Sequence, residues 1–282
     1  MTDASATRPF AVDAALDEEI ARAAGLLADA RHGVALTGAG LSVESGIPPF
    51  RGPGGLWTRY GEPPLDGFQR FLRDPAAAWR ERLNPSEPWA RGLAETLSGA
   101  KPSAGHRALA ALERAGHLAA LITQNIDDLH GQAGSRRLLE IHGNHKLLRC
   151  LGCGVRRSPD VLEVDPENLP PHCPDCGGMV KGDTVQFGEP IPEDVLSRCV
   201  EESARADCML VIGTSASVYP AAGFPLEVLA RGEPVIEVNP HESDLTPLAT
   251  LSLRGPAGAI LERLCERVEA LCDAPLQETA HG

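Results

Sequence analysis

The chain has 282 residues, 43% of them hydrophobic, and a formal net charge of −13 at pH 7. That length suits one large domain, or a large one with a small companion, and no stretch is long and apolar enough to span a bilayer. The acidic balance argues against a nucleic-acid backbone as principal ligand and favours a basic partner, such as a lysine-bearing protein segment.

Residues 1–12 are small and polar and are expected to be disordered; they show no signal-peptide pattern, which leads to the expectation of a cytoplasmic protein. Residues 15–30 read as an amphipathic, Ala-rich helix, followed by the apolar run Val34-Ala35-Leu36-Thr37, which Gly38-Ala39-Gly40 breaks. From about 48 to 100 the chain is rich in Pro, Trp and Arg, with only short helical patterns such as Pro75 to Leu83. Regularity resumes at Ser103, a plausible N-cap for a helix ending near Gly116. Apolar runs follow at Leu118 to Thr123, Leu138 to Ile141, Cys208 to Gly213 and Val235 to Val238, and residues 257–272 close as an amphipathic helix. Short buried strands alternating with helices predict an α/β fold, a doubly wound parallel sheet covered on both faces.

Four cysteines interrupt this pattern as Cys150-x-x-Cys153 and Cys173-x-x-Cys176. Two such turns supply four thiolates to one tetrahedral Zn²⁺, a closed site that braces a fold and leaves no position for substrate. Cys199, Cys208, Cys265 and Cys272 fall in helix- or strand-like runs, as buried free thiols do.

In a doubly wound sheet, ligands bind beyond the carboxyl ends of the strands. Here those ends carry Gly38-Ala39-Gly40-Leu41-Ser42, Gln124-Asn125-Ile126-Asp127, His142-Gly143, Gly213-Thr214-Ser215 and Asn239, which together describe a nucleotide-sized crevice. Gly38-x-Gly40 follows a strand and is expected to open a helix whose free N–H groups face a pyrophosphate, although a tight structural turn reads the same way. Val43 stands where the third glycine of the dinucleotide fingerprint belongs, and no acidic ribose ligand ends a second strand. Both departures weaken a dehydrogenase reading. Asn125 and Asp127 lie on alternate positions and point to one side, suited to a carboxamide, or else to an Asx turn.

The blocks Gly38-Ala39-Gly40-Leu41-Ser42-Val43-Glu44-Ser45-Gly46-Ile47-Pro48-Pro49-Phe50-Arg51, Gly55-Leu56-Trp57, Thr123-Gln124-Asn125-Ile126-Asp127-Asp128-Leu129-His130, Glu140-Ile141-His142-Gly143, Phe187-Gly188-Glu189 and Gly213-Thr214-Ser215 carry a resemblance. In this order, with the zinc turns between them, they resemble the sirtuin family of NAD-dependent protein deacylases, of the bacterial type. The resemblance implies a Rossmann-like large domain from 13–47, 101–144 and 184–273. It implies a small domain from a helical and cofactor-loop module at 48–100 and a zinc module at 145–183, and leaves 274–282 as a flexible tail.

It also implies roles. His142 is the general base, with Asn125 and Asp127 at the nicotinamide amide. Gly38, Ala39, Gly40, Ser42, Phe50, Arg51, Gln124, Gly213, Thr214, Ser215 and Asn239 are the remaining NAD contacts. Val185, Phe187, Gly188 and Glu189 pair strand to strand with an acyl-lysine peptide. The loop Gly46 to Gly55 is a lid ordered by NAD. The expected products are nicotinamide, free lysine and O-acyl-ADP-ribose; protein mono-ADP-ribosyl transfer is the alternative. Gln186 departs from an apolar family position, and no Tyr-x-x-Arg pair for acidic acyl groups is visible: the corresponding helix reads Trp79-Arg80-Glu81-Arg82. Arg82 either contacts an acidic acyl group or is merely solvated. His106 and Pro102 match family positions and read as structural.

Overall fold

The computed structural model describes residues 10–52, 54–162 and 164–273; the expected flexible tail and residues 1–9 of the expected disordered N-terminus lie outside them. From the N-terminus, α1 (Ala14–Asp29) leads into β1 (Gly33–Thr37) and a 3-10 turn over Ala39–Ser45. Four helices follow: α2 (Leu56–Tyr60), α3 (Gly67–Arg73), α4 (Pro75–Leu83) and α5 (Pro88–Gly99). Next come α6 (Ala104–Ala115), β2 (Ala120–Thr123), α7 (Leu129–Ala133) and β3 (Leu138–Glu140). The short strands β4 (Leu148–Cys150), β5 (Arg156–Arg157) and β6 (Val180–Gly182) form their own antiparallel sheet. The chain finishes with α8 (Glu193–Arg205), β7 (Cys208–Ile212), α9 (Gly223–Ala230), β8 (Val235–Val238), β9 (Leu251–Leu253) and α10 (Ala257–Asp273).

The large sheet is ordered β3-β2-β1-β7-β8-β9, every neighbouring pair parallel. Counting only its own six strands, this is the 3-2-1-4-5-6 order of dinucleotide-binding sheets. Because side chains alternate along a strand, each strand feeds two cores. Ala35, Leu121, Leu210 and Ile236 pack beneath α1, α6 and α10, while Leu36, Ile122, Val211 and Val235 pack on the other face with residues of α8 and α9. A fully buried Leu or Ile contributes about 1.5–3 kcal/mol. Truncating Leu210, wholly buried, to alanine therefore costs about 2–5 kcal/mol.

Helix boundaries follow local chemistry. Asp13 caps α1 by accepting from the Leu16 N–H at 2.9 Å. Ser103 caps α6, and His106 at the third helical position accepts from the Ser103 N–H at 3.2 Å, the part usually taken by Glu or Gln in a capping box. The segment 48–100, expected to be largely irregular, holds four helices. Pro75 and Pro88 begin two of them, since proline fits the first turn where its missing N–H has no partner in any case. Residues 10–12 of the expected disordered segment are described, and Val12 packs against the core under α1 and α10. The two small elements share a core in which Phe71 and Trp79 meet Leu148, Cys150, Leu162, Cys173 and Val180. Trp79 Nε1 donates to Val180 O at 2.8 Å. Among the described residues no helix is long and apolar enough to cross a membrane.

Candidate active site and zinc site

Strand order reverses between β1 and β7, and their carboxyl ends approach very closely. Gly38 N donates to Ile212 O (2.9 Å) and Gly40 N to Gly213 O (2.8 Å). A Cβ on Gly38 would lie 2.8 Å from Gly213 O, and one on Gly40 would lie 2.7 Å from Gly213 Cα. Gly213 has φ 61° and leaves no room for a side chain either. These three glycines are demanded by backbone packing at the floor of the crevice. The turn that follows is 3-10, where a helix with free N–H groups was expected, and the N–H groups of Gly38 and Gly40 are spent on the end of β7.

Above that floor lies a cavity of about 1200 Å³, larger than a typical small-molecule pocket of about 300–1,000 Å³ and roomy enough for a dinucleotide with a side chain beside it. Gly38, Ala39, Gly40, Phe50, Arg51, Gln124, Asn125, His142, Gly213, Thr214, Ser215 and Asn239 all line it. Ser42 and Asp127 do not; they sit behind the wall and hold Asn125. Asn125 Nδ2 donates to Gly38 O (3.0 Å) and Ser42 Oγ (3.1 Å), and Ser42 Oγ donates to Asp127 Oδ2 (2.6 Å). Asp127 Oδ1 accepts from Leu129 N at 3.0 Å, so the Asx turn and the polar cluster coexist. On the opposite side, Gln124 Nε2 donates to Thr214 Oγ1 (3.0 Å) and Asn239 Nδ2 to Thr214 O (2.8 Å), tying three strand ends together.

His142 follows β3. Its Nδ1 lies 3.0 Å from Gln124 O; a carbonyl only accepts, so Nδ1 carries the proton and Nε2 keeps its lone pair, free of protein partners among the described residues. Burial pushes the imidazole below its ordinary value of 6.5, partly opposed by the Gln124 hydrogen bond, so the ring is neutral and basic at neutral pH. The next residue, Gly143, has φ 76°, and a Cβ there would fall 2.1 Å from Asp183 O. Asp183 is buried, accepts from Asn144 N (2.8 Å), and pairs with Arg149 (2.7 Å) and Arg156 (2.6 Å) of the small sheet. Arg156 also pairs with Glu140 of β3 at 2.6 Å. The turn bearing His142 is thus anchored by ions from both sheets.

Val185, Phe187, Gly188 and Glu189 also line the cavity. The expected strand is a short extended piece followed by a turn, closed by Glu189 N donating to Gln186 O at 2.9 Å. Phe187 O accepts from Phe68 N (3.0 Å), whereas Val185 O, Phe187 N and Gly188 N have no main-chain partner among the described residues. The Glu189 carboxylate is turned inward, accepting from Gln186 N at 2.8 Å and pairing with Lys181 at 3.1 Å. It shapes the segment instead of reaching outward. The Gln186 side chain has a buried Oε1 without a partner.

Trp57 was quoted above only as part of a motif, yet it links the two sides of the cleft. Its ring lies 5.2 Å from Phe50 and 5.8 Å from Phe187, and the Arg51 guanidinium sits 4.3 Å above it. Tryptophan in a proline-rich loop was the available signal. Arg82 is exposed, donates to His145 O at 2.9 Å and does not line the cavity.

Cys150, Cys153, Cys173 and Cys176 bring their Sγ atoms within 4.8 Å of one another, none in a disulfide. Bonds of about 2.3 Å to a tetrahedral zinc place sulfurs roughly 3.8 Å apart, and the Cys150–Cys176 and Cys153–Cys173 separations are 3.5 and 3.8 Å. N–H groups of Gly152 and Gly178 point at Cys150 and Cys176 (3.3 and 3.4 Å), which suits thiolates. The donor set fits structural Zn²⁺.

Residues 38–220 match the Sir2 family. NAD-dependent protein deacylase 2 of Pyrobaculum aerophilum is 45% identical over 246 residues, covering 87% of this chain and 94% of that protein. The NAD-dependent protein deacylase of Mycobacterium tuberculosis is 44% identical over 240 residues, covering 84% and 97%. A solved Sir2 homolog–NAD complex superposes with TM-score 0.74 at 43% identity, covering 89% of this chain and 94% of that one. A Sir2–p53 peptide–NAD+ structure superposes with TM-score 0.70 at 34% identity, covering 88% and 98%. With this extent of similarity and this strand order, the chain belongs to the Sir2 family.

Proposed function

We propose that this protein is an NAD-dependent protein-lysine deacylase in which His142 is the general base. When bound, NAD would supply an electrophilic ribose carbon and a nicotinamide leaving group, so that acyl-lysine, NAD and water yield free lysine, nicotinamide and O-acyl-ADP-ribose. The single observation that carries the assignment is His142, which lines the cavity, is neutral by burial, and is fixed by Gln124 O in the tautomer that leaves Nε2 without a protein partner among the described residues. General-base removal of a ribose hydroxyl proton needs that combination.

In this reading Gly38, Ala39, Gly40, Phe50, Arg51, Gln124, Gly213, Thr214, Ser215 and Asn239 hold NAD. Asn125 orients the carboxamide, with Ser42 and Asp127 fixing the Asn125 amide. Val185, Phe187 and Gly188 present unpaired main-chain groups to an acyl-lysine peptide, a mode that tolerates many sequences. Positioning of this kind supplies roughly 7–11 kcal/mol of barrier reduction. Residues 13–47, 101–144 and 184–273 act as the NAD-binding part, with 48–100 and 145–183 as the part that closes the cleft, and zinc braces the latter. Protein or peptide substrates in the cytoplasm, and no nucleic acid or membrane, complete the proposal.

Incubation with an acetyl-lysine peptide and NAD, followed by mass spectrometry, tests it. The expected result is nicotinamide and deacylated peptide, lost at least about 10²–10⁴-fold in His142→Ala with zinc content intact. Mass gain of ADP-ribose on protein, or a fully active His142→Ala, would overturn it.

A further inference from the structure

Among the described residues Lys181 is the largest of the fully buried side chains, with 1% exposure. It lies in β6, next to a shared apolar core, where a leucine or methionine would serve packing at no electrostatic cost. Burying an ammonium costs several kcal/mol unless every proton finds a partner. Here each does. Nζ donates to Gly182 O at 2.7 Å and Thr184 O at 2.8 Å, and meets Glu189 Oε2 at 3.1 Å. An ammonium has three donors and no acceptor, so its capacity is filled by one stretch of chain. The stretch is Gly182 to Glu189, and Glu189 Oε2 returns to it by accepting from Gln186 N at 2.8 Å. The same stretch joins the His142 turn through Asp183, whose carboxylate accepts from Asn144 N at 2.8 Å, and through Val185 N, which donates to His142 O at 2.9 Å.

We propose that Lys181 is a positioning residue for the acyl-peptide edge: the segment 182–189 wraps around its ammonium, which fixes Val185, Phe187 and Gly188 in register with each other and with His142. The inference rests on the reading of Val185 to Gly188 as the peptide-binding edge. A hydrophobic replacement would fill the volume but leave Gly182 O and Thr184 O without this donor and Glu189 Oε2 with Gln186 N alone, and the edge would lose its fixed curvature. Apolar burial fixes no register, whereas three directed hydrogen bonds do. Cofactor contacts arise from other strand ends and owe nothing to this ammonium.

The test is Lys181→Met/Glu189→Gln, which removes both charges together. A buried pair replaced by neutral groups of similar volume is commonly tolerated, whereas removing one partner is not. Glu189→Gln alone, whose amide oxygen can still accept from the ammonium and so does not leave it unpartnered, serves as the second variant. Measured on zinc-replete protein are the Kd for ADP-ribose by calorimetry and the KM and kcat for one acetyl-lysine peptide. Expected is a peptide KM raised about tenfold or more in the double variant, with the ADP-ribose Kd within about twofold of wild type. Glu189→Gln falls between the two. A peptide KM unchanged within about twofold in folded double variant would overturn the proposal. So would loss of peptide and ADP-ribose binding in parallel, or failure of both variants to fold, since each result marks Lys181 as general scaffolding. Wild-type protein that binds ADP-ribose but does not deacylate the peptide would instead overturn the deacylase reading itself.

Discussion

His142 shows how much of a catalytic property lies outside the residue's own chemistry. An imidazole in water titrates near 6.5; here burial lowers it, the Gln124 carbonyl pushes back, and the net shift is downward. A general base works only when unprotonated, so activity is lost as pH falls through the pKa of His142. The acidic limb of kcat/KM against pH is therefore expected below pH 6.5, the ordinary histidine value. A limb centred above 6.5 would show that the ring is more exposed in the working enzyme, or that another group limits the rate. Neighbouring residues behave similarly. Asn125 lines the cavity, but its orientation is set by Ser42 and Asp127 behind it. Alternation along the chain brought Asn125 and Asp127 to one side, as expected, but could not reveal that one faces the ligand space and the other supports it.

At the scale of elements, α6 and α7 meet through two buried histidines, His106 and His130, with ring centroids 4.8 Å apart. Burial pushes His106 down to about 4, with Asp127 opposing and Arg107 adding to the shift. His130 is driven well below its usual range by burial and then by His106. Both rings fold neutral, and an unfolded chain binds protons at them from about pH 6.5 downward. Their contribution to stability is complete above pH 6.5 and is lost as pH falls toward about 4. Tm should accordingly drop between pH 7 and 4.5, and His106→Gln, which keeps the capping role at the third helical position, should flatten the dependence. An equally steep curve in that variant would remove His106 as a cause. The same scale explains which elements were legible in sequence. The runs of β1, β2, β7 and β8 announce themselves because both faces are buried and every residue but Thr37, Thr123 and Glu237 is apolar. By contrast α5 and α8 expose most of their residues, and β9 has only three residues, so their apolar signal is thin. Pro75 begins a helix over the span Pro75 to Leu83 that the pattern suggested, and Pro88 begins another. The role of Lys181 was invisible for a different reason: its partners lie along a folded-back segment, and a lysine in sequence reads as solvated surface.

Across the whole molecule, the charge distribution bears on which acyl groups the cleft accepts. The net charge of −13 sets up a field that opposes anionic substrates. Within the cavity, Glu44 and Glu242 line the wall, the Glu189 carboxylate is turned inward to Lys181, and among the described residues Arg51 is the one lysine or arginine that lines it. Arg51 is already stacked on Trp57 at 4.3 Å and faces Glu62 at 3.5 Å. Arg82, the other candidate, is spent on His145 O in the seam between the helices and the small sheet. A carboxylate carried into this cleft on an acyl chain finds no free cation. Stripping its water without a partner costs several kcal/mol, while an uncharged acyl chain meets Trp57, Phe187, Val185 and Ile191. On one peptide, kcat/KM for succinyl-lysine should therefore fall at least about tenfold below that for acetyl-lysine, and added salt should narrow the gap only slightly, because a dry wall is poorly screened. Equal turnover of the two would mean that Arg51 leaves Trp57 when the acyl chain enters, and Arg51→Gln would then lower succinyl turnover by more than it lowers acetyl turnover.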